Sequence, residues 1–346
     1  MTNRLKDCLT RGGVLAACLG LFAVPAGAEE KITLKLADWM PVSHYTVTNA
    51  AEPFMAKAKE LSGGSIDIQY FPGGQLGKGQ DALRLVQTGV ADIANISPAY
   101  ISDKFVLSSV AELPAMFETA CKGSDAFEKL ATDGGVLAEN EFTPYNVRVL
   151  VSIAYAPYKI VTVSKKVETV EDFKGLKIRT AGGAMDMTAN ALNAVSVRMP
   201  GPDILASMTR GTLDGSFAPL QSVKVFDLQS VLKHQTTDVS LGSFITVYAI
   251  SDRAWNSLSD AQKQALTEAG AFATQNHCNY VDAQEPKVIA ELTDFGMEPN
   301  TMAEGELAKL NEQLATVQDG WAEKVDQLGK PGSEVLKAFQ AALGDE

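Results

Sequence analysis

The chain has 346 residues, a formal net charge of −12 and 46% hydrophobic residues. That length exceeds what one core needs, so about two domains are expected. The acidity excludes nucleic acid and anionic membrane as partners, because both are held by basic patches.

Residues 1–28 read as a cleavable secretory signal. Arg4, Lys6 and Arg11 form a basic start, residues 12–24 (GGVLAACLGLFAV) an apolar run, and Ala26-Gly27-Ala28 a small-residue cleavage site. The run is too short to span a bilayer. Leu15-Ala16-Ala17-Cys18 resembles a lipoprotein box, but the apolar run continues past Cys18 and a better cleavage site follows. The expected location is therefore periplasmic. Cys8 and Cys18 leave with the leader. Cys121 and Cys278 remain, and either a disulfide or two buried thiols fits an even pair in an oxidising compartment.

Residues 31–37 (KITLKLA) and 65–71 (SIDIQYF) alternate as strands, with helical spacing over 48–62 between them. Pro72-Gly73-Gly74 makes a turn, Leu76 to Thr88 reads as helix, and residues 90–97 fit another strand. Residues 147–156 (VRVLVSIAYA) are almost wholly apolar, as in a strand covered on both faces. Residues 159–164, 176–180, 213–217 and 244–250 complete the strands, with a capping box at Thr169 and Asp172 and a helix over Pro202–Thr209. Ser259 and Gln262 cap a long helical pattern running to about Phe295 and interrupted by Pro286. Leu307, Leu310, Leu314, Val317, Trp321, Val325 and Leu328 form one amphipathic stripe. Strands alternating with helices give an α/β class with largely parallel sheets. The long helix is expected to span two domains.

Three histidines, His44, His234 and His277, are far apart, and no H-E-x-x-H, C-x-x-C, G-x-S-x-G or dinucleotide fingerprint is present. GGQLGKG (73–79) lacks the spacing of a phosphate loop and reads as a turn entering a helix. No metal, cofactor or enzymatic activity is expected, and a binding protein is.

Four stretches converge on one family. YFPGGQLGKGQDALRLVQTGVADIANIS (70–97), VETVEDFKGLKIRTAG (167–182), LDGSFAPLQSVKVFDL (213–228) and AWNSLSDAQKQAL (254–266) resemble, in order, the signatures of the periplasmic solute-binding proteins of tripartite ATP-independent (TRAP) transporters, the dicarboxylate binders among them. The resemblance implies a two-lobed periplasmic binding protein fold, with crossing strands and a long helix behind both lobes. Lobe 1 would comprise 29–150 with 241–281 returning to it, and lobe 2 151–240 with 282–346. It implies an extracytoplasmic receptor, not an enzyme, that delivers a small organic anion to the small and large membrane permease subunits. A binding protein for an ABC importer and a ligand-presenting sensor subunit are the alternatives. Monomer is the default state.

Arg179 matches the family's arginine at the end of the G-L-K-x-R strand, which implies a two-point grip on a ligand carboxylate. Lys159 matches a second basic position, as an assisting charge or a plain surface lysine. Phe217 and Ala218 stand where relatives often have Glu-Asn, which implies an aromatic wall in place of a polar clamp. Trp39, His44, Ser97 and Tyr100 follow first-lobe strands, with Trp39 expected to stack on the ligand and His44 to donate a hydrogen bond. Tyr155 is a further wall residue and Phe244 a weaker one.

Overall fold

Alternation of side chains builds the first strands. In β1 (Ile32–Ala37) Leu34 and Leu36 are buried while Thr33 and Lys35 face out. The computed structural model describes residues 30–132 and 134–344, so the leader expected over 1–28 lies outside the described residues. After β1 come α1 (Glu52–Leu61), β2 (Ile66–Phe71), α2 (Ala82–Gln87), β3 (Ile93–Ile96), α3 (Ala120–Ala131), β4 (Val147–Ala154), β5 (Lys159–Thr162) and β6 (Lys177–Thr180). Then follow α4 (Ala184–Ala191), β7 (Val195–Arg198), α5 (Ile204–Thr209), β8 (Gly215–Ala218), α6 (Leu220–Val225), β9 (His234–Thr236) and β10 (Ile245–Ser251). The chain ends with α7 (Asp252–Asn256), α8 (Asp260–Asp294), β11 (Glu298–Asn300), α9 (Glu306–Gln327) and α10 (Gly332–Leu343). The helix read from Leu76 begins only at Ala82, after a 3-10 turn at Gly79–Asp81, because Gly77 and Gly79 weaken the preceding turn.

The strands form two sheets, ordered β2-β1-β3-β10-β4 and β11-β9-β5-β8-β6-β7. Each is parallel except for one strand. β10 runs against β3 and β4, and β5 runs against β8 and β9. Those two are the strands that the chain enters directly from a strand of the other sheet, whereas the parallel β11 is reached by way of α7 and α8. The connecting segments lie side by side. The Tyr155 amide donates to the Phe244 carbonyl at 3.0 Å, the Tyr158 amide to Gly242 at 2.8 Å, and the Leu241 amide to Tyr158 at 3.0 Å. β4 is nearly all buried because α3 and α8 cover it.

The helix α8 runs for 35 residues, about 52 Å at the α-helical rise, and packs on α1, α3 and β4 and also on α6 and β11. It therefore lies along both sheets. Ser259 and Gln262 form the expected capping box. Pro286 does not interrupt it. A proline removes one backbone hydrogen bond, and packing along the rest of the helix holds it through that point. The segment after 282 is shared: α9 lies on α4, burying Leu310, Leu314, Val317, Trp321 and Val325, while α10 lies on α3 and α9. Cys121 and Cys278 are joined in a disulfide between α3 and α8, which decides between the two readings left open by the sequence. Among the described residues no helix is long and apolar enough to cross a membrane.

Candidate ligand-binding site

The carboxyl ends of parallel strands are where an open α/β sheet leaves room for a ligand. Arg179 is next to last in β6, in register with Val197 of β7 and Ser216 of β8. Alternation alone would expose it together with Lys177. Instead Lys177 is exposed and Arg179 is only 4% exposed, because the other lobe closes over that end of the strand. The glycine pair that follows permits this approach. Gly182 and Gly183 have φ of +114° and +58°, and a Cβ on them would stand 2.6 Å from the Ala99 carbonyl oxygen and 2.5 Å from Glu112 Oε2.

Arg179 lines a small, partly open cavity with ≈ 30 Å³ of water-accessible space. Trp39, His44, Tyr100, Tyr155 and Phe244, all singled out from the sequence, line it too. Met40, Tyr158, Ile204, Ser222, Phe226 and Leu228 were not foreseen. Tyr158 sits on a crossing segment and the last three lie within the third family signature, beyond the end of β8, so position beyond a strand end was the available signal. Three further expectations fail to reach this cavity. Lys159 lines a separate hollow with Asp238 and Glu118, where its Nζ donates to the Val239 carbonyl at 2.9 Å. Burial lowers its pKa there, opposed by the carboxylates of Glu285 and Asp238. Phe217 is fully buried in the core, paired with Ile160 across the sheet, and it is Ala218 that borders the cavity. Ser97 is buried beneath it, its carbonyl accepting from the Tyr100 amide at 3.0 Å at the start of the 3-10 turn that carries Tyr100.

The electrostatics are one-sided. Arg179 Nε donates to the Met199 carbonyl at 2.9 Å, and among the described residues no carboxylate pairs with its guanidinium. No Asp or Glu lines the cavity. His44 is neutral: burial, and then the neighbouring His277, hold its pKa down to about 3. The Thr46 amide donates to His44 Nδ1 at 3.1 Å, so the ring proton is on Nε2. Trp39 is buried and its indole N–H has no partner among the described residues. Burial raises the Tyr100 and Tyr158 hydroxyls above their usual range against the opposing charge of Arg179, so both stay protonated donors. The Trp39 loop is fixed from below by Asp38. Its buried carboxyl accepts from the Met40 amide at 2.9 Å, Asn95 at 2.9 Å, Tyr248 at 2.8 Å and Tyr70 at 3.1 Å. The site is thus a ring of donors and aromatic walls around one cation, suited to an anion.

Two buried acids lie outside the cavity lining. Burial, then Asp186 and Glu141, raise the Glu112 carboxyl well above its usual value, opposed by the Ala184 amide and Arg198. Burial raises Glu141 from 4.5 to about 7, although Ser108 and the Leu107 and Ser108 amides donate to it. The folded chain therefore keeps protons that the unfolded chain has released above about 4.5, and this stability is lost as pH rises through about 7. His44 and His277, both at about 3 when folded, act in the opposite sense: stability falls as pH drops from 6.5 towards 3. Denaturant titrations are expected to show a stability plateau between about pH 4.5 and 6.5, falling on both sides. Glu141→Gln and Glu112→Gln should flatten the alkaline side. Stability climbing steadily to pH 9 would contradict this assignment.

The model for bacterial extracellular solute-binding proteins of family 7 matches residues 40–324. The chain is 24% identical over 354 residues to the C4-dicarboxylate-binding periplasmic protein DctP of Rhodobacter capsulatus, covering 100% of both. Its fold matches a TRAP periplasmic solute-binding protein of Bordetella bronchiseptica with bound (R)- and (S)-mandelate, with a TM-score of 0.81 and 24% identity over 91% of this chain and 99% of that one. It also matches a marine metagenome TRAP solute-binding protein specific for aromatic acid ligands, in complex with 3-hydroxybenzoate, with a TM-score of 0.83 and 23% identity over 91% and 99%. With two sheets joined by crossing strands and a family match across most of its length, the chain belongs to the bacterial extracellular solute-binding proteins of family 7, the solute-binding proteins of TRAP transporters.

Proposed function

We propose that the protein is the extracytoplasmic receptor of a TRAP transporter, binding a small organic anion by its carboxylate and delivering it to the membrane permease subunits. The observation that carries this reading is Arg179: a guanidinium only 4% exposed, in a cavity whose lining holds no acid. Burying a charge is costly unless it is paired, so such a site favours an anionic ligand that pairs it. Arg179 would take the carboxylate through two parallel hydrogen bonds, with Tyr100, Tyr158 and the Trp39 N–H as neighbouring donors. Lobe closure would remove water from the ion pair and strengthen it, and that difference in affinity would shift the open–closed equilibrium read by the permease. Relatives with bound mandelate and 3-hydroxybenzoate, and one named for C4-dicarboxylates, support an organic acid.

The test is a thermal-shift panel of carboxylates, sulfonates, sugars and cations on refolded protein, which carries no ligand over. A ligand at 100 times its Kd adds about 2.7 kcal/mol, a shift of a few degrees here. Stabilisation by organic acids is the expected result. Stabilisation by sugars or cations alone would remove the receptor assignment.

A further inference from the structure

Resting on that receptor reading, the cavity lining points to a narrower class. We infer that the ligand is a monocarboxylate with an uncharged, compact and largely apolar body, best filled by an aromatic ring, and that dicarboxylates and amino acids are rejected.

The argument starts from what the lining lacks. Among the described residues Arg179 is its only charged side chain. The other cation named from the sequence, Lys159, opens into a different hollow and is bonded to the Val239 carbonyl. Arg198, on the strand next to β6, is held by Asp186 at 2.5 Å and does not line the cavity. A second carboxylate on the ligand would therefore enter a space walled mainly by aromatic and aliphatic side chains, with no second cation among the described lining residues to meet it. An unpaired buried charge is among the largest penalties in binding, so a dicarboxylate would either bind weakly or hold the lobes apart.

The same reasoning excludes an ammonium group. An amino acid needs an acceptor carboxylate for its amine, and no Asp or Glu lines the cavity. The buried Glu112 is packed against Gly183 outside the cavity lining, and burial, then Asp186 and Glu141, disfavour its charged form. Sugars fare no better. The cavity offers a few hydroxyl and N–H donors, and much of the rest of its wall is apolar, with Met40, Ile204, Phe226, Leu228 and Phe244. Polyhydroxylated ligands would leave several hydroxyls without partners there.

What the lining provides fits the opposite profile. Trp39 and Tyr100 stand 5.1 Å apart between ring centroids, Tyr100 and Phe244 5.4 Å, and Tyr155 and Phe244 5.5 Å, giving a continuous aromatic surface. A planar ring placed against such a surface gains offset or edge contacts beyond its area burial. The unpaired Trp39 N–H can serve one further oxygen, such as a hydroxyl beside the carboxylate.

Matched probes separate this inference from the receptor reading. Mandelate and malate share a 2-hydroxycarboxylate head and differ by phenyl against carboxymethyl. Phenyllactate and phenylalanine differ by hydroxyl against ammonium. Calorimetry on refolded protein is expected to show mandelate binding at least about 100-fold tighter than malate, and phenyllactate tighter than phenylalanine by a similar ratio. Malate or succinate binding as tightly as every aromatic acid would overturn the inference and leave the receptor reading standing. Tight phenylalanine binding would overturn it likewise. Failure of all carboxylates to bind would remove the receptor reading itself.

Discussion

Replacing Arg179 with alanine is expected to weaken ligand binding by two orders of magnitude or more while leaving the ligand-free protein folded. Removing one partner of a buried ion pair costs on the order of 3–5 kcal/mol, because the other charge is left desolvated and alone. In this protein the penalty falls on the bound state only. Arg179 is held at Nε by the Met199 carbonyl and has no carboxylate partner among the described residues. Its removal breaks no ion pair in the empty protein, so the melting point of the empty protein should change little. A structural arginine would behave differently, and the substitution would then lower stability as well as affinity. Arg179→Lys should recover only part of the binding, since an ammonium cannot reproduce a planar two-point contact. Lys159→Ala is the control and should leave affinity unchanged, because its ammonium lies in another hollow. The decisive readings are a calorimetric titration and a melting curve on each variant. Near-wild-type affinity in Arg179→Ala would sink the anchor assignment.

Loss of the Cys121–Cys278 disulfide is expected to have the second largest effect. The bond closes a sequence separation of 157 residues. The loop-entropy relation gives about 5 kcal/mol for such a closure, and removal of native disulfides costs about 2–5 kcal/mol. For a chain of this size each kcal/mol corresponds to about 1.5 °C, so the double variant Cys121→Ser/Cys278→Ser should melt roughly 3–8 °C below wild type. One compensating contact sits at the same place. The Asp282 carboxylate accepts from the Ala120 and Cys121 amides at 2.7 and 3.1 Å, capping α3 on α8 without the sulfur bridge. The fold should therefore survive reduction, and ligand affinity should change little because neither cysteine touches the cavity. An identical melting point with and without reductant would show that the bridge contributes nothing to stability.

The element pattern was legible wherever a local rule operated. The alternation of β1, the apolar run of β4, the capping boxes at Thr169 and Ser259 and the stripe of α9 all rest on neighbours in sequence. Strands β7, β9 and β11 were missed. They are three or four residues long and too short to show a period. The antiparallel course of β5 and β10 was also hidden, because the direction in which a strand enters a sheet depends on the crossing between lobes and not on its residues.

The candidate site divides in the same way. Arg179 could be named from the family signature, Trp39, His44 and Tyr100 from loops after strands, and Tyr155 and Phe244 as aromatics near the crossing segments, and they line one cavity. Lys159 and Phe217, named from family positions, and Ser97, named from a loop after a strand, lie elsewhere. A strand's period of two says which residues share a face, but not which face meets the second lobe or where a long side chain finds its nearest acceptor. By itself the sequence determined the α/β class, the family signatures and an arginine at a strand end. Tertiary structure decided that Arg179 is buried without an acid, that Lys159 turns to the Val239 carbonyl and that Cys121 meets Cys278. Each of those outcomes depends on segments far apart in the chain, and a sequence pattern read in short windows carries no information about which of them will meet.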